Sequence, residues 1–236
     1  MRWTYGITTV PARFDTVLPR TLHSLALAGF GEPRLFVDGE QCPDIYEQRF
    51  DLPVTAHYPV IHVYPNFLLG LWELYLREPD AERYAMFQDD LVSVRNLRQY
   101  LEHTPYPPLG YLNLYTFMNN EALVKDKPVG FLPASQNGRG ALGLVFTREA
   151  VITLLGSPHL AKRVQQTQTC KAGLRRGWTH ADGAVVEAMN AAGWSEYVHN
   201  PSLLRHTGSK SATGSAQYAS DKTFPGEDFD ALEWLA

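Results

Sequence analysis

The sequence predicts an α/β domain in which a mixed, mostly parallel sheet is flanked by helices, with a C-terminal lid or tail. Three observations carry that prediction. The chain opens with a strand-like segment, a helical segment and a second strand-like segment, the βαβ signature of a parallel sheet. A short apolar run, Tyr84-Ala85-Met86-Phe87, then climbs to Gln88-Asp89-Asp90 before the apolar pattern resumes at Leu91-Val92-Ser93-Val94. A strand ending in an acid pair puts charge at the sheet edge, where ligands of open α/β sheets bind. Finally, the 236 residues show no internal repeat and no clear interdomain linker, so one core is expected.

In order, Trp3 to Val10 reads as a strand, rich in β-branched and aromatic residues and stopped by Pro11-Ala12-Arg13. Asp15 is the expected N-cap of a helix with Val17, Leu18, Leu22, Leu25 and Leu27 inward. Pro19 falls in its first turn, where a missing N–H is tolerated, and Gly29 lies near its end. Arg34 to Val37 is the second strand, closed by Asp38-Gly39. His57 to Tyr64 reads as extended, Asn66 to Arg77 as a helix ended by Glu78-Pro79-Asp80, and Asn96 to His103 as a short helix. Tyr111 to Phe117 is a further strand, and the polar Lys125 to Gly138 segment is expected to cover a site. Small residues in Arg139-Gly140-Ala141-Leu142-Gly143 permit close approach of backbone or ligand, and Thr147 caps a helix through Leu155. Gly183 to Ala192 is a helix and Trp194 to Val198 a strand. The domain is drawn at residues 1–214, with 215–236 as a tail packing on it.

Composition narrows the function classes. A hydrophobic share of 44% and a charged share of 19% are those of an ordinary globular domain. A net charge of −4 gives the whole molecule no general attraction for nucleic acid or anionic membrane. The two cysteines, Cys42 and Cys170, form neither a disulfide framework nor a zinc spacing, which leaves one pairing open. The N-terminal residues lack the apolar region of a signal peptide, and no apolar run approaches membrane-span length, so a cytoplasmic enzyme is expected. No glycine-rich phosphate loop follows the first strand, which disfavours a dehydrogenase or a P-loop kinase.

Several residues suggest chemistry. Thr8, Thr9 and Arg13 at the end of the first strand, Asp38 at the end of the second, and Asn66 are placed to meet a nucleotide's phosphates, ribose or base. Two adjacent carboxylates repel unless a cation or proton lies between them, and a hard divalent cation shared with a phosphate suits them. Neighbours in a strand face opposite ways, so both serve one ion only if the strand has ended. The expected division gives Asp90 the metal and Asp89 the donor. His206 is a second metal candidate, since imidazole suits Mn²⁺, and Ser209 and Lys210 follow it as candidate diphosphate contacts. Asp182 is either an ordinary helix cap or a general base, with His180 beside it to orient substrate or serve as the base itself. Between Ala150 and Ala181 there is no acid, while Lys162, Arg163, Lys171, Arg175 and Arg176 supply a local basic patch. That patch is either a solvated face or a track for a polyanion such as DNA.

Taken in order, these pieces resemble a nucleotide-sugar-dependent glycosyltransferase of the Rossmann-like GT-A fold, from Trp3 to about Gly214. The resemblance rests on Ile7-Thr8-Thr9-Val10-Pro11-Ala12-Arg13, Phe36-Val37-Asp38-Gly39, Phe87-Gln88-Asp89-Asp90, Gly140-Ala141-Leu142-Gly143, Ala181-Asp182-Gly183 and Pro201 to Gly208. Gln88 stands where the family's DxD motif usually has an acid. The resemblance implies a nucleotide-sugar donor, commonly a UDP-sugar, and Mn²⁺ or Mg²⁺, with Asp90 and His206 as ligands. It also implies inversion if Asp182 is the base. Hydroxymethylated pyrimidine in DNA is one acceptor consistent with the basic patch, and would have to be flipped from the stack. A glycan, protein or small-molecule acceptor is an alternative. So is a nucleotidyltransferase or a noncatalytic sugar- or nucleic-acid-binding domain.

Overall fold

The computed structural model describes residues 1–160, 181–207 and 222–236. Their order begins β1 (Trp3–Thr9), α1 (Leu18–Leu27), β2 (Arg34–Asp38), α2 (Asp44–Phe50), β3 (Val54–His57), α3 (Val63–Arg77), β4 (Arg83–Gln88) and β5 (Leu91–Ser93). It continues with α4 (Leu97–His103), β6 (Gly110–Asn113), α5 (Met118–Val124), β7 (Gly130–Pro133), β8 (Gly143–Thr147), α6 (Arg148–Leu155), α7 (Ala181–Ala191), β9 (Ser195–Asn200) and β10 (Leu204–His206). Short 3₁₀ turns occupy Pro11–Arg13 and Ala231–Leu235.

The described residues form an eight-stranded sheet in the order β3-β2-β1-β4-β8-β6-β9-β7. β8 and β7 run antiparallel to their neighbours and the other strands share one direction. The predicted mixed, mostly parallel sheet flanked by helices is therefore the observed fold. The carboxyl ends of β1, β2, β4 and β6 share one edge with the start of β8. A separate two-stranded ladder pairs β10 with β5 at that edge, setting His206 opposite Leu91.

Burial follows the two faces of the sheet. One cluster includes Ile7, Leu25, Val37, Phe87, Leu112 and Leu203, and the other Phe36, Phe67, Leu71, Met86, Leu144 and Met189. α3 comes very close to the sheet because of Gly70, where an added Cβ would lie 2.8 Å from the Phe36 ring. Phe224, Phe229, Leu232 and Trp234, beyond His206 in the chain, pack against the first cluster. No helix among the described residues is long and apolar enough to cross a membrane.

Several boundaries differ from the sequence expectation, each for a local reason. α1 starts at Leu18 with Val17 at its cap position and no side-chain cap, so Asp15 is not the N-cap. The Pro11–Arg13 turn and the turns after it delay the helix until Pro19 can sit in its first turn. The extended segment ends at His57 rather than Tyr64, because Pro59 and the positive φ of His62 break it and α3 begins at Val63. The strand expected through Phe117 stops at Asn113, and Met118 begins α5. The Lys125 to Gly138 stretch contributes the edge strand β7, paired with β9. α2 was unexpected, although Asp44 and Glu47 in its first turn and Arg49 in its last suit the helix dipole. Thr147 caps α6 as expected, its hydroxyl accepting from the Ala150 N–H at 3.1 Å.

Candidate functional site

The site is built from the backbone at the end of β4. The strand ends at Gln88, so the alternation that would send Asp89 and Asp90 to opposite faces no longer applies. Both carboxylates are buried, 4% and 3% exposed, and both reach Arg13. Arg13 closes the 3₁₀ turn after β1, which pairs directly with β4. One nitrogen of its guanidinium, Nη1, contacts Asp89 Oδ1 and lies 2.5 Å from Asp90 Oδ2. The Thr9 hydroxyl donates to Asp89 Oδ2 at 2.6 Å. Thr8 donates to the Phe87 carbonyl at 3.3 Å.

His206 arrives through the β10–β5 ladder rather than through local sequence. Its Nε2 lies 3.1 Å from Asp90 Oδ2, and the next N–H, that of Thr207, donates to the Asp90 carbonyl at 2.8 Å. The floor is fixed by Thr21 of α1. Its hydroxyl bonds the carbonyls of Asp89 and Leu91 at 2.7 and 2.9 Å and receives the Leu91 N–H at 3.1 Å. Thr21 was not anticipated; its signal in the sequence was a hydroxyl at helical spacing from Leu18 and Leu25, on the inward face of α1.

Electrostatics separates the two acids. Burial pushes Asp89 up to about 6, Arg13 opposes that rise, and the adjacent Asp90 charge adds to it. Burial also acts to raise Asp90, but the hydrogen bond and charge of His206, with Arg13, outweigh it and hold Asp90 below its ordinary value. Burial works against the Arg13 charge, and the two aspartates more than restore it, so its pKa is raised.

A divalent cation can be tested against these residues. Asp90 Oδ1 is buried and has no hydrogen-bond partner among the described residues. With the His206 nitrogen at the other oxygen of the same carboxylate, the donors are a hard oxygen and an imidazole, a set that suits Mn²⁺ better than Mg²⁺. The described residues contain no cluster of three or more acidic, histidine or cysteine side chains arranged to hold a metal by themselves, so remaining positions would fall to other donors.

Asp38 and Asn66 form a second polar group at the ends of β2 and β3. Asp38 accepts the N–H groups of Ile61 and His62 at 2.7 and 2.9 Å. Asn66 donates to the Phe36 carbonyl at 3.0 Å, and its Oδ1 lies 2.8 Å from His57 Nδ1. Asp182 stands in the first turn of α7, where Oδ2 accepts the Gly140 N–H and Oδ1 the Gly183 N–H, each at 2.9 Å. Gly140 has φ +84°, and an added Cβ would sit 2.7 Å from the Tyr115 ring. The small residues of that loop thus admit close packing of the protein's own backbone and rings.

A buried acid on β9, three strands along from β4, was not anticipated. Glu196 of β9 is 1% exposed; its Oε1 accepts the Asn113 amide at 2.9 Å, and its Oε2 has no hydrogen-bond partner among the described residues. Burial first, then the charge of Asp182, push Glu196 up to about 7 against the pull of Asn113. The signal for it was a glutamate inside a strand whose β6 neighbours, Tyr111 and Asn113, share its face. His180, Ser209, Lys210, the basic residues Lys162, Arg163, Lys171, Arg175 and Arg176, and Cys170 lie outside the described residues.

No family model and no curated protein matches the chain. Solved structures share its fold. A nucleotidyl transferase from Methanothermobacter thermautotroptrophicus aligns with a TM-score of 0.50 at 14% identity, over 84% of this chain and 86% of that one. GalNAc-T7, solved with UDP, GalNAc and Mn²⁺, aligns with a TM-score of 0.53 at 11% identity, over 84% of this chain and 42% of that one. At such identities the likeness is one of fold.

Proposed function

We propose that this chain is a metal-dependent glycosyltransferase that moves a sugar from a nucleotide-sugar, most simply a UDP-sugar, to an acceptor hydroxyl. The observation that carries the reading is the buried Asp90, with one uncommitted carboxylate oxygen beside His206 and Arg13 at the carboxyl edge of the sheet. Asp90 and His206 would hold Mn²⁺ or Mg²⁺. When bound, that ion neutralises charge building on the leaving diphosphate. Thr9 and Thr21 fix the backbone and carboxylate of Asp89, so the site is rigid before substrate arrives. Thr8, Asp38, Asn66 and Asp89 belong to the donor side in this reading, with Ser209 and Lys210 reaching the diphosphate from the opposite side.

Asp182 is the proposed base. Gly140 and Gly183 hold its carboxylate by their N–H groups. It takes the acceptor proton as the hydroxyl oxygen bonds to the anomeric carbon and the sugar–phosphate bond breaks, which inverts that centre. His180 would assist by orienting substrate. A polyanionic acceptor such as hydroxymethylated DNA remains the acceptor we would test first.

A nucleotidyltransferase is the second reading, favoured by the fold match that spans 86% of a nucleotidyl transferase. One assay separates the two. The protein is incubated with Mn²⁺, plain or hydroxymethylcytosine DNA, and a panel of nucleotide-sugars, and the released product is identified. Nucleoside diphosphate release that falls at least ~100-fold in Asp90→Asn supports sugar transfer. Pyrophosphate as product supports the second reading, and undiminished turnover by Asp90→Asn in chelator ends the first.

A further inference from the structure

Arg13 stands where the proposed chemistry would put a metal. Its Nη1 alone contacts both Asp89 Oδ1 and Asp90 Oδ2, so two carboxylates converge on one cationic nitrogen, as they would on a bridging ion. The side chain is only 15% exposed, so the contact is a buried one. A divalent ion brought to Asp90 with Arg13 still in place would set like charges side by side in a largely dehydrated pocket, where their repulsion is strong. The turn that carries Arg13 also offers a way out, because Pro11 and Ala12 beside it are exposed.

We propose that Arg13 is a built-in counter-cation of the Asp89–Asp90 pair, and that its contact with Asp90 and a divalent ion held by Asp90 exclude one another. Metal enters only as the guanidinium swings out towards solvent. Before metal arrives, Arg13 neutralises the buried acids and keeps them aligned. Its departure removes one of the two contacts on Asp90 Oδ2, the other being His206 Nε2, beside the already uncommitted Oδ1. The affinity for metal is therefore set in part by an ion pair that must first be broken. This inference rests on the reading that the site takes a divalent cation, and concerns how that cation gains access.

The test uses the full chain with Mn²⁺ or Mg²⁺ alone and no donor. Calorimetry and Mn²⁺ paramagnetic resonance should show Arg13→Gln binding Mn²⁺ at least ~10-fold more tightly than the wild type, a gain removed by adding Asp90→Asn. Arg13→Lys, which keeps the charge, should stay near the wild-type affinity. In the unmutated protein, the Arg13 Nε–H resonance should shift and exchange faster with water as Mg²⁺ saturates the site. That last measurement holds even if Arg13→Gln does not fold. Equal or weaker Mn²⁺ binding by folded Arg13→Gln overturns the proposal, as does an unmoved Arg13 signal in wild-type protein shown to hold Mg²⁺. If no variant binds either ion, the metal-dependent reading falls and the exchange falls with it.

Discussion

Asp90 and Glu196 are buried to nearly the same degree, at 3% and 1% exposure, yet their acidities move in opposite directions. Burial acts to raise both. At Asp90 the partners are a guanidinium and an imidazole, and they overcome it. At Glu196 the partner is a neutral amide from Asn113, and the charge that acts on it, Asp182, has the wrong sign. The comparison teaches that depth alone does not decide the state of an acid here. What decides it is whether the fold delivers positive charge to the same place. The carboxyl edge receives it from the turn after β1, and the β10–β5 ladder adds the His206 imidazole as a hydrogen-bond partner.

The largest expected effect comes from removing that charge. Arg13→Ala leaves two buried acids side by side without their shared cation, and should cost about 3–5 kcal/mol of stability at pH 7. Urea unfolding measures it. A loss below about 1 kcal/mol would mean that the two regions are less different than their geometry implies.

The sequence made part of this contrast legible. The opening βαβ unit and the acid pair at the end of β4 follow from period and composition, which are local. The family resemblance pairs Asp90 with His206, but no local pattern does, because their meeting depends on the register of β10 against β5 across more than a hundred residues. The joint grip of Arg13 on both acids was hidden for a different reason. It requires β4 to stop at Gln88, and strand ends are set by pairing partners rather than by the strand's own residues. Glu196 was passed over because a lone glutamate in a strand reads as facing solvent. Only the arrangement of β9 between β6 and β7, with α7 packed on the same sheet, encloses it.

The next effect runs in the opposite direction, a gain. Because the folded protein holds Glu196 at about 7, above the ordinary carboxylate value, folding favours its protonated form. That contribution is complete below the unfolded pKa and is lost as pH rises from about 4 through about 7. Glu196→Gln keeps an acceptor for Asn113 and removes the ionisation, so it should add about 2 kcal/mol at pH 8 and little at pH 4. Thermal unfolding across that range is the measurement. An equal effect at both ends would show that the glutamate is paired in a way that makes its charge harmless.

The smallest effect concerns a neutral group inside the charged site. The Thr9 hydroxyl donates to Asp89 Oδ2 and favours its ionised form, whereas burial and Asp90 favour the protonated one. Thr9→Val preserves the shape and deletes the donor, so the midpoint of Asp89, read from its side-chain carboxyl carbon by NMR, should rise above about 6. The stability cost at pH 8 should be about 1 kcal/mol. It should shrink as pH falls below that midpoint, because a protonated carboxyl needs the donor less. If Thr9→Val leaves the midpoint unchanged, Arg13 alone sets the state of Asp89 and the hydroxyl serves only to fill space. If the midpoint rises as expected, charge compensation at this edge is shared between an ion pair and a neutral donor. The Asn113 amide plays the neutral part beside Glu196, with no cation to help it.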